Sequence, residues 1–261
     1  MDILQQIAAD KRREVALKQK WVPESQLRHA RLFSLPTRSM RASLQKQAFG
    51  IIAEHKRRSP SRAVINQKVP LPEVVCGYEK AGAGAVSVLT DGTYFGGSLD
   101  DLVLARACTN LPVLRKEFIL DPYQVVEARA NGADAILLIA ALLARPEIEA
   151  LGRLAHELDM EVLLEVHSAA ELEEAWVPGL DMIGVNNRNL KTFEVSLDTS
   201  RQLASLIPDS ALRISESGLG QAAQLRELKA LGYGGFLMGE SFMKRANPGA
   251  ALQGFLKELQ G

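Results

Sequence analysis

Residues 51–61 read IIAEHKRRSPS, an apolar run that ends in a cluster of charged residues. The apolar start is typical of a buried strand, and Glu54 and Lys56, two residues apart, project from the same side of it. Residues 59–61 cannot continue a strand and predict a polar loop. Charged side chains at the end of a buried strand are costly unless they are paired or used. This segment is therefore a candidate site, with a salt bridge at the rim as the alternative.

The same pattern of apolar run, turn and amphipathic stretch repeats eight times. The predicted strands are 50–53, 85–89, 112–114, 135–139, 162–166, 182–185, 212–214 and 235–238. The helical candidates between them are 71–81, 99–107, 122–131, 146–158, 169–176, 199–206 and 222–231. Gly82, Gly132 and Gly232 stand where three of these helices are expected to stop.

Alternating strands and helices with short links predict an α/β fold, a (β/α)8 TIM barrel, because parallel strands need crossover connections. An open doubly wound sheet is the alternative. Such a sheet usually has a glycine-rich turn after its first strand, and residues 56–60 (KRRSP) contain no glycine.

The chain is expected to be a single TIM-barrel domain over residues 1–261, with a helical extension over 1–48 and eight βα units over 49–261. Apolar spacing from Ile3 to Ala16 predicts an amphipathic helix, and Ser39 is a possible cap for a short second helix over 39–47. The basic and polar faces of this extension are expected to be solvated surface, with coverage of the site mouth as the alternative. Because the chain stops at Gly261, soon after the final helix, one activity is expected.

Composition narrows the class of protein. The 261 residues include 31 Lys plus Arg and 31 Asp plus Glu, so no net charge would attract nucleic acid or an anionic membrane. The amino terminus lacks the pattern of a secretory signal, and no apolar run approaches membrane-spanning length, so a cytoplasmic location is expected. Cys76 lies in a predicted helix and Cys108 stands at the end of another, and the two predict no disulfide framework. The four histidines show no metal-ligand spacing, so no metal is expected.

Polar residues follow several of the predicted strands. In a TIM barrel the carboxyl ends of all strands share one face, and active sites lie there. Two lysines and three carboxylates are predicted to meet at this mouth with an amide and a hydroxyl: Glu54, Lys56, Lys116, Glu165, Asn186, Glu216 and Ser217. A single one of these is compatible with a stabilising ion pair, but five polar strand ends on one face indicate a site.

The last two strands are followed by glycine-containing loops, SGLG at 217–220 and GES at 239–241. Glycine lets backbone N–H groups approach an anion, and the loops after strands seven and eight are the usual phosphate site of this fold. Tight turns without a ligand are the alternative. A carboxylate beside a phosphate would repel it, so Glu240 is expected to present only its backbone N–H, with its side chain turned away.

Seven segments, in order and over essentially the whole chain, resemble the signature segments of the indole-3-glycerol-phosphate synthase family. They are IIAEHKRRSPSR (51–62), LTDGTYFGGSLDDL (89–102), PVLRKEFILDPYQV (112–125), LLEVHS (163–168), IGVNNRNLKTFEV (183–195), ISESG (214–218) and FLMGESFM (236–243). The resemblance implies a (β/α)8 barrel with an amino-terminal helical segment. It implies conversion of 1-(2-carboxyphenylamino)-1-deoxyribulose 5-phosphate to indole-3-glycerol phosphate, with loss of carbon dioxide and water, in tryptophan biosynthesis and without a cofactor.

The resemblance also implies roles for individual residues. Lys116 is the general acid on the substrate carbonyl, Glu165 is the general base or acid of the dehydration, and Lys56 holds the substrate carboxylate. Glu54 and Glu216 orient the lysines, and Asn186 bonds the sugar hydroxyls. The phosphate-binding positions are Lys56, Ser217, Gly218, Gly239 and Glu240. The positions around the aromatic ring or its carboxylate are Ser59, Pro60, Phe95, Phe118, Leu137, Arg188 and Leu237.

Three further expectations concern the chemistry and the departures from the family pattern. Repulsion from Lys56 and Arg115 is expected to lower the pKa of Lys116 so that it can act as an acid. His55, where the family usually has an apolar residue, is expected to face the surrounding helices as a satisfied structural histidine, with a catalytic histidine as the alternative. Ala63, where glycine is common, would restrict the first loop if a positive φ were needed.

Two other functions stay open at this point. A phosphoribosylanthranilate isomerase would share the phosphate loops but uses a different set of acids and bases. A non-catalytic phosphosugar-binding barrel would be favoured by loss of an acid–base residue, and none is lost. A small phosphorylated substrate is the expected partner, with a monomer or weak homo-oligomer and no nucleic acid or membrane.

Overall fold

The computed structural model describes residues 3–60, 62–189 and 192–261. Three residues of the quoted segments lie outside these ranges: Ser61 in the first loop, and Leu190 and Lys191 in the stretch after the sixth strand.

Eight parallel strands form a closed barrel in which each strand pairs with the next and the eighth pairs with the first. This confirms the predicted (β/α)8 barrel. The strands are β1 (Gly50–His55), β2 (Ala85–Leu89), β3 (Val113–Lys116), β4 (Ala135–Ile139), β5 (Glu161–Val166), β6 (Met182–Asn186), β7 (Leu212–Glu216) and β8 (Gly235–Met238). Three strands run two residues beyond their predicted ends, because Glu54, Lys116 and Glu216 continue the strand pairing although they are charged.

The predicted helices between strands are present, with ends that differ by up to three residues. They are α4 (Leu71–Ala81), α6 (Leu99–Cys108), α7 (Pro122–Ala130), α8 (Arg145–Glu157), α9 (Ala169–Ala175), α10 (Asp198–Leu203) and α11 (Ala222–Ala230). The others are α1 (Ile3–Trp21), α2 (Glu24–Arg28), α3 (Met40–Gln45), α5 (Gly92–Phe95), α12 (Glu240–Met243) and α13 (Pro248–Gln260). Gly82, Gly132 and Gly232 have φ values of 98°, 84° and 95°, which confirms them as helix-ending glycines.

The barrel interior is filled in layers, each from alternate strands, as strand alternation and closure require. The lower layer is apolar and comes from the odd strands: Ile52, Leu114, Leu163 and Ile214. The even strands supply the middle layer: Ser87, Leu137, Gly184 and Leu237. The odd strands supply the upper layer, which is charged: Glu54, Lys116, Glu165 and Glu216. The charged upper layer therefore lies above a largely apolar barrel interior.

Two of the amino-terminal helices, α1 and α3, lie at opposite ends of the barrel. Helix α3 closes the amino ends of the strands with Met40 and Leu44, both fully buried. Ser39 caps α3, as predicted, by accepting the Ala42 N–H. Helix α1 lies at the carboxyl ends, where Leu4 and Ile7 join the apolar cluster inside the barrel.

A second apolar layer lies between the strands and the surrounding helices. Cys76 and Cys108 both lie in helices of this layer and both are free thiols, as the sequence predicted. Within the described ranges, no helix combines the length and the apolar character that crossing a bilayer requires.

Candidate active site

A cleft of about 450 Å³ opens at the carboxyl ends of the strands. Its volume falls in the range of small-molecule sites. Every residue that the sequence analysis named as a candidate lines it: Glu54, Lys56, Ser59, Pro60, Phe95, Lys116, Phe118, Leu137, Glu165, Asn186, Arg188, Glu216, Ser217, Gly218, Leu237, Gly239 and Glu240. The structure thus brings the candidates together, and their individual roles stay predictions.

Lys116 is at the centre of the charged layer. Its ammonium donates to Glu165 Oε2 at 3.0 Å and to Glu216 Oε2 at 2.5 Å. The two carboxylates are almost completely buried, and Lys116 itself is 13% exposed, toward the cleft. Gly184 on β6 makes this arrangement possible, because a Cβ there would stand 2.1 Å from Glu216 Oε1. One cation is therefore shared by two buried carboxylates at the floor of the cleft.

The expected lowering of the Lys116 pKa is wrong. Burial disfavours the ammonium, but the carboxylates of Glu165, Glu216 and Glu54 outweigh it and raise the pKa of Lys116 above its ordinary value. Arg115 does not repel Lys116 as expected, because neighbouring residues of a strand face opposite sides. Its guanidinium is buried in the helix layer, where it donates to Glu127 Oε2 at 2.6 Å and to the Gln124 carbonyl at 2.8 Å.

The two carboxyl groups beside Lys116 differ in their proton affinity. Burial opposes ionisation of Glu165, but Lys116 and His167 overcome it and hold the pKa of Glu165 below its ordinary value. Burial raises the pKa of Glu216, and the negative charge of Glu165 adds to this, against the opposing effect of Lys116. A pair of carboxyl groups whose pKa values are pushed apart is an arrangement that supports acid–base chemistry.

Glu54 and Lys56 form the pair that the first strand predicted. Lys56 Nζ lies 2.7 Å from Glu54 Oε1, with Glu54 buried and Lys56 partly exposed in the cleft. Gly239, after β8, packs directly on Glu54, because a Cβ at that glycine would stand 2.9 Å from the Glu54 Cβ. The missing side chain lets the last loop approach the first strand closely.

One wall of the cleft is aromatic. The rings of Phe95 and Phe118 lie 6.0 Å apart between centroids, tilted by 41°. Phe95 ends the short helix α5, which Asp91 caps by accepting the N–H groups of Tyr94 and Phe95. Leu137 and Leu237 of the middle layer form the floor beside this wall. These apolar surfaces suit a flat aromatic ring.

The loops after β7 and β8 form the opposite side. Ser217 has φ 67° and Gly218 has φ 74°, so the chain turns sharply at the end of β7. The Glu240 carboxylate pairs with Arg62 of the first loop at 2.5 Å. This pair occupies the Glu240 side chain, as expected if only its backbone faces a ligand.

Two neighbouring asparagines at the end of β6 have different surroundings: one faces the cleft and the other supports it. Asn186 lines the cleft and also accepts the Arg188 N–H at 3.0 Å. Asn187 is buried and donates to Ser215 Oγ, Glu216 O and Ser217 O, so it ties the end of β6 to β7. The Arg188 guanidinium donates to the Phe193 carbonyl at 3.1 Å at the cleft edge.

Of the two departures from the family pattern, Ala63 is accommodated, whereas His55 is not the satisfied histidine expected, because its buried Nε2 has no hydrogen-bond partner within the described residues. His55 is buried outside the cleft, beside Arg57 and Asp101 of α6, as expected for a residue that faces the helix layer. Burial, with the charge of Arg57, lowers the pKa of His55 to about 4. Ala63 is not among the non-glycine residues with positive φ in the described ranges, so no positive φ is forced on it.

For α1 the structure supports the alternative expectation, coverage of the site mouth. Ile3, Leu4 and Ile7 line the cleft, so this helix covers part of its mouth. The expectation of a solvated basic face is wrong for Lys11, which is 3% exposed and bound to Glu14, Asp91 and Glu117. The helical spacing identified the apolar stripe, but nothing in the spacing indicated that its partner was the mouth of the site.

A closed (β/α)8 barrel with a lysine and carboxylates buried at the carboxyl ends of its strands defines the class of TIM-barrel enzymes. A protein-family profile described as "Indole-3-glycerol phosphate synthase" matches residues 4–255. A protein of that name from Bacteroides thetaiotaomicron is 46% identical over 259 residues, covering 99% of both chains. One from Polaromonas sp. is 44% identical over 255 residues, covering 96% of this chain and 97% of the relative. The chain belongs to the indole-3-glycerol phosphate synthase family.

More distant solved structures share the fold alone. The 3-hexulose-6-phosphate synthase from Salmonella typhimurium superposes with a TM-score of 0.64 at 14% identity, covering 81% of this chain and 98% of that chain. A structure titled KGPDC from Streptococcus mutans gives a TM-score of 0.61 at 12% identity, covering 82% and 98%. The family membership therefore comes from the sequence relatives, not from these likenesses.

Proposed function

We propose that this chain converts 1-(2-carboxyphenylamino)-1-deoxyribulose 5-phosphate to indole-3-glycerol phosphate, the carboxy-lyase reaction of its family in tryptophan biosynthesis. The observation that carries the proposal is the Lys116 ammonium held between Glu165 and Glu216 at the base of a cleft. One wall of that cleft is aromatic and the opposite side is formed by the glycine-containing loops. These are the parts that an aromatic, phosphorylated substrate needs.

Lys116 acts as the general acid of ring closure. The ring carbon that carries the carboxylate bonds to the substrate carbonyl carbon, and the carbonyl oxygen takes a proton from Lys116 Nζ to become a hydroxyl. The carboxylate then leaves as carbon dioxide, which restores the aromatic ring. Because its pKa is raised, Lys116 keeps its proton until negative charge develops on the carbonyl oxygen. Its charge therefore acts mainly on the transition state.

Glu165 serves the dehydration that follows. The neighbouring carbon gives its proton to Glu165, the new hydroxyl takes this proton from Glu165 and leaves as water, and the double bond that forms completes the indole ring. Glu165 is suited to accept this proton because, in the resting site, Lys116 and His167 hold its carboxyl group ionised. It lies 3.0 Å from Lys116, so the proton donor of ring closure and the base of the dehydration face adjacent atoms of one bound intermediate.

The remaining residues bind and orient the substrate. Lys56, held by Glu54 at 2.7 Å, supplies a positive charge for the substrate carboxylate, with Arg188 at the edge of the cleft. The ring lies against Phe95, Phe118, Leu137 and Leu237, beside Ser59 and Pro60. Asn186 bonds the sugar hydroxyls. The phosphate lies at the loops after β7 and β8, with Ser217, Gly218, Gly239 and Glu240 contributing backbone N–H groups and Lys56 adding charge.

The setting of this activity is also part of the proposal. The enzyme works in the cytoplasm, without a cofactor or metal, as a monomer or weak homo-oligomer and without nucleic acid as a partner. The equal numbers of acidic and basic residues support the last point.

The direct test is to add the substrate to purified protein and to follow indole absorbance and fluorescence, with and without EDTA. We expect equal rates in both samples. Product that forms only without EDTA would overturn the metal-free assignment. Tight substrate binding without product would contradict the enzyme assignment and favour a phosphosugar-binding barrel.

A further inference from the structure

His167 follows Glu165 by two residues, so the two side chains project to the same side of the chain at the end of β5. Its Nε2 lies 3.4 Å from Glu165 Oε1, and its Nδ1 lies 3.1 Å from Glu171 Oε2. Glu171, in the first turn of α9, also accepts the His167 backbone N–H at 2.8 Å. The imidazole therefore bridges two carboxylates, and Glu171 holds it from behind.

His167 lies behind Glu165 and not in the cleft itself. It is not among the residues that line the cleft, and its side chain is 11% exposed. Within the described residues, its buried Nε2 has no hydrogen-bond partner, although it points toward Glu165. A buried polar atom without a partner costs about 1–3 kcal/mol, so the arrangement calls for a functional reason.

The reason lies in the order of the proposed steps. In the resting site, Lys116 on β3 balances Glu165 and Glu216, with Glu54 on β1 adding further negative charge. When Lys116 gives its proton to the carbonyl oxygen, it becomes a neutral amine. Glu165 then faces Glu216 without their shared cation, just before it must act as a base. Asn186 on β6 offers Glu165 a hydrogen bond but no charge.

Resting on the proposed function, we propose that His167, held by Glu171, is the positioning residue that keeps Glu165 ionised after Lys116 has given up its proton. The imidazolium faces Glu165 on one side and Glu171 on the other, and Glu216 is the third charge near it. Burial opposes the charged ring, but Glu171 and Glu165 outweigh this and raise the pKa of His167. The two carboxylates on either side of the ring thus favour its protonated form.

The test compares His167→Gln and Glu171→Gln with wild type, and uses His156→Gln as the control. His156 also pairs with a carboxylate, Asp181, but lies outside the site. For His167→Gln we expect kcat to fall about 10- to 100-fold with KM within about twofold, and the acid limb of the kcat profile to move up by about one pH unit. In single turnovers, the ring-closed species that still holds its hydroxyl should accumulate. Glu171→Gln should act in the same direction and less strongly, and His156→Gln should change nothing.

Two results would overturn the proposal: a lower kcat with an unmoved acid limb, or a higher KM with unchanged kcat. Wild-type turnover, measured first, separates this question from the proposed function. If wild type forms no product, the proposed function fails. The His167 charge is then read by NMR titration of its imidazole in wild type and in Glu171→Gln. A titration at the ordinary histidine value in both proteins would overturn the charge assignment independently of activity.

Discussion

At the scale of single residues, function depends on which side of a strand each charge faces. Arg115 and Lys116 are adjacent in sequence, yet one is buried among the helices and the other is at the base of the cleft. Glu54 and His55 divide in the same way. Because side chains alternate along a strand, one of two neighbouring ionisable residues packs against the helices and the other faces the cleft.

Replacing Lys116 by Met is expected to lower kcat by about 10²- to 10⁴-fold while substrate affinity changes little. The change removes the proton donor and the positive charge that both Glu165 and Glu216 bind, but leaves the aromatic wall and the phosphate loops in place. Steady-state kinetics and calorimetric titration of the substrate measure the two effects. Lys244→Met is the matched control, because Lys244 also lines the cleft but is exposed. Unchanged turnover in Lys116→Met would remove this lysine from the mechanism.

Replacing His55 by Leu is expected to remove an acid-sensitive part of the stability. An unfolded histidine titrates near pH 6.5, and the folded one titrates at about 4. The unfolded state therefore binds more protons between these values, so stability falls as the pH drops from 6.5 to 4. The wild type should lose about 3 kcal/mol more than the variant over this window.

Urea unfolding at several pH values checks the prediction for His55, with His156→Gln as the control. Groups common to both proteins cancel in the comparison. Parallel curves for wild type and His55→Leu would show that the buried imidazole is not the source of the acid sensitivity.

At the scale of elements, α1 belongs to the site as much as the strands do. Its apolar stripe supplies Ile3, Leu4 and Ile7 to the cleft, and Lys11 fastens it to the loops after β2 and β3. The Lys11 partners support the aromatic wall, since Asp91 caps the helix that carries Phe95 and Glu117 accepts the Phe118 N–H at 2.9 Å. The buried ammonium of Lys11 thus connects helix α1 to the segments that carry the Phe95 and Phe118 rings.

Replacing Lys11 by Met is expected to raise KM about tenfold and to lower the free energy of unfolding by about 3 kcal/mol, because Asp91 and Glu117 would keep buried charges without their partner. Lys18→Met on the same helix is the control. Lys18 pairs with Glu14 and Glu127 but is 32% exposed, so it should cost less than about 1 kcal/mol. Lower stability in Lys11→Met with an unchanged KM would show that Lys11 stabilises the fold without shaping the cleft.

At the scale of the whole molecule, the two ends of the barrel have different tasks. The carboxyl ends carry the charged layer and the cleft, whereas the amino ends are closed by Met40 and Leu44 of α3. Apolar layers separate the two ends, so a substitution at the closed end is expected to leave the positions of the charged cleft residues unchanged. This division follows from the parallel barrel, in which all strands run the same way.

Replacing Leu44 by Ala is expected to lower the free energy of unfolding by about 2–5 kcal/mol, because Leu44 is fully buried and its loss leaves a cavity. We expect kcat to stay within about twofold of wild type at temperatures where the variant is folded. Denaturant titration and kinetics on the same preparation give both quantities. A large loss of kcat in the folded variant would contradict the separation of the two ends.

The sequence by itself determined the periodic features of this protein. Strand and helix periods and helix-ending glycines repeat locally, so the eight βα units, and with them the shared face of Glu54, Lys116, Glu165 and Glu216, followed from residue spacing. Only the tertiary structure decided what surrounds each charge. Glu165 and Glu216 are 51 residues apart in numbering and meet at one ammonium, so the Lys116 pKa rises where spacing alone suggested repulsion. The burial of Lys11 and the approach of His167 to Glu165 likewise depend on packing between distant elements, because burial and charge proximity are properties of the folded chain.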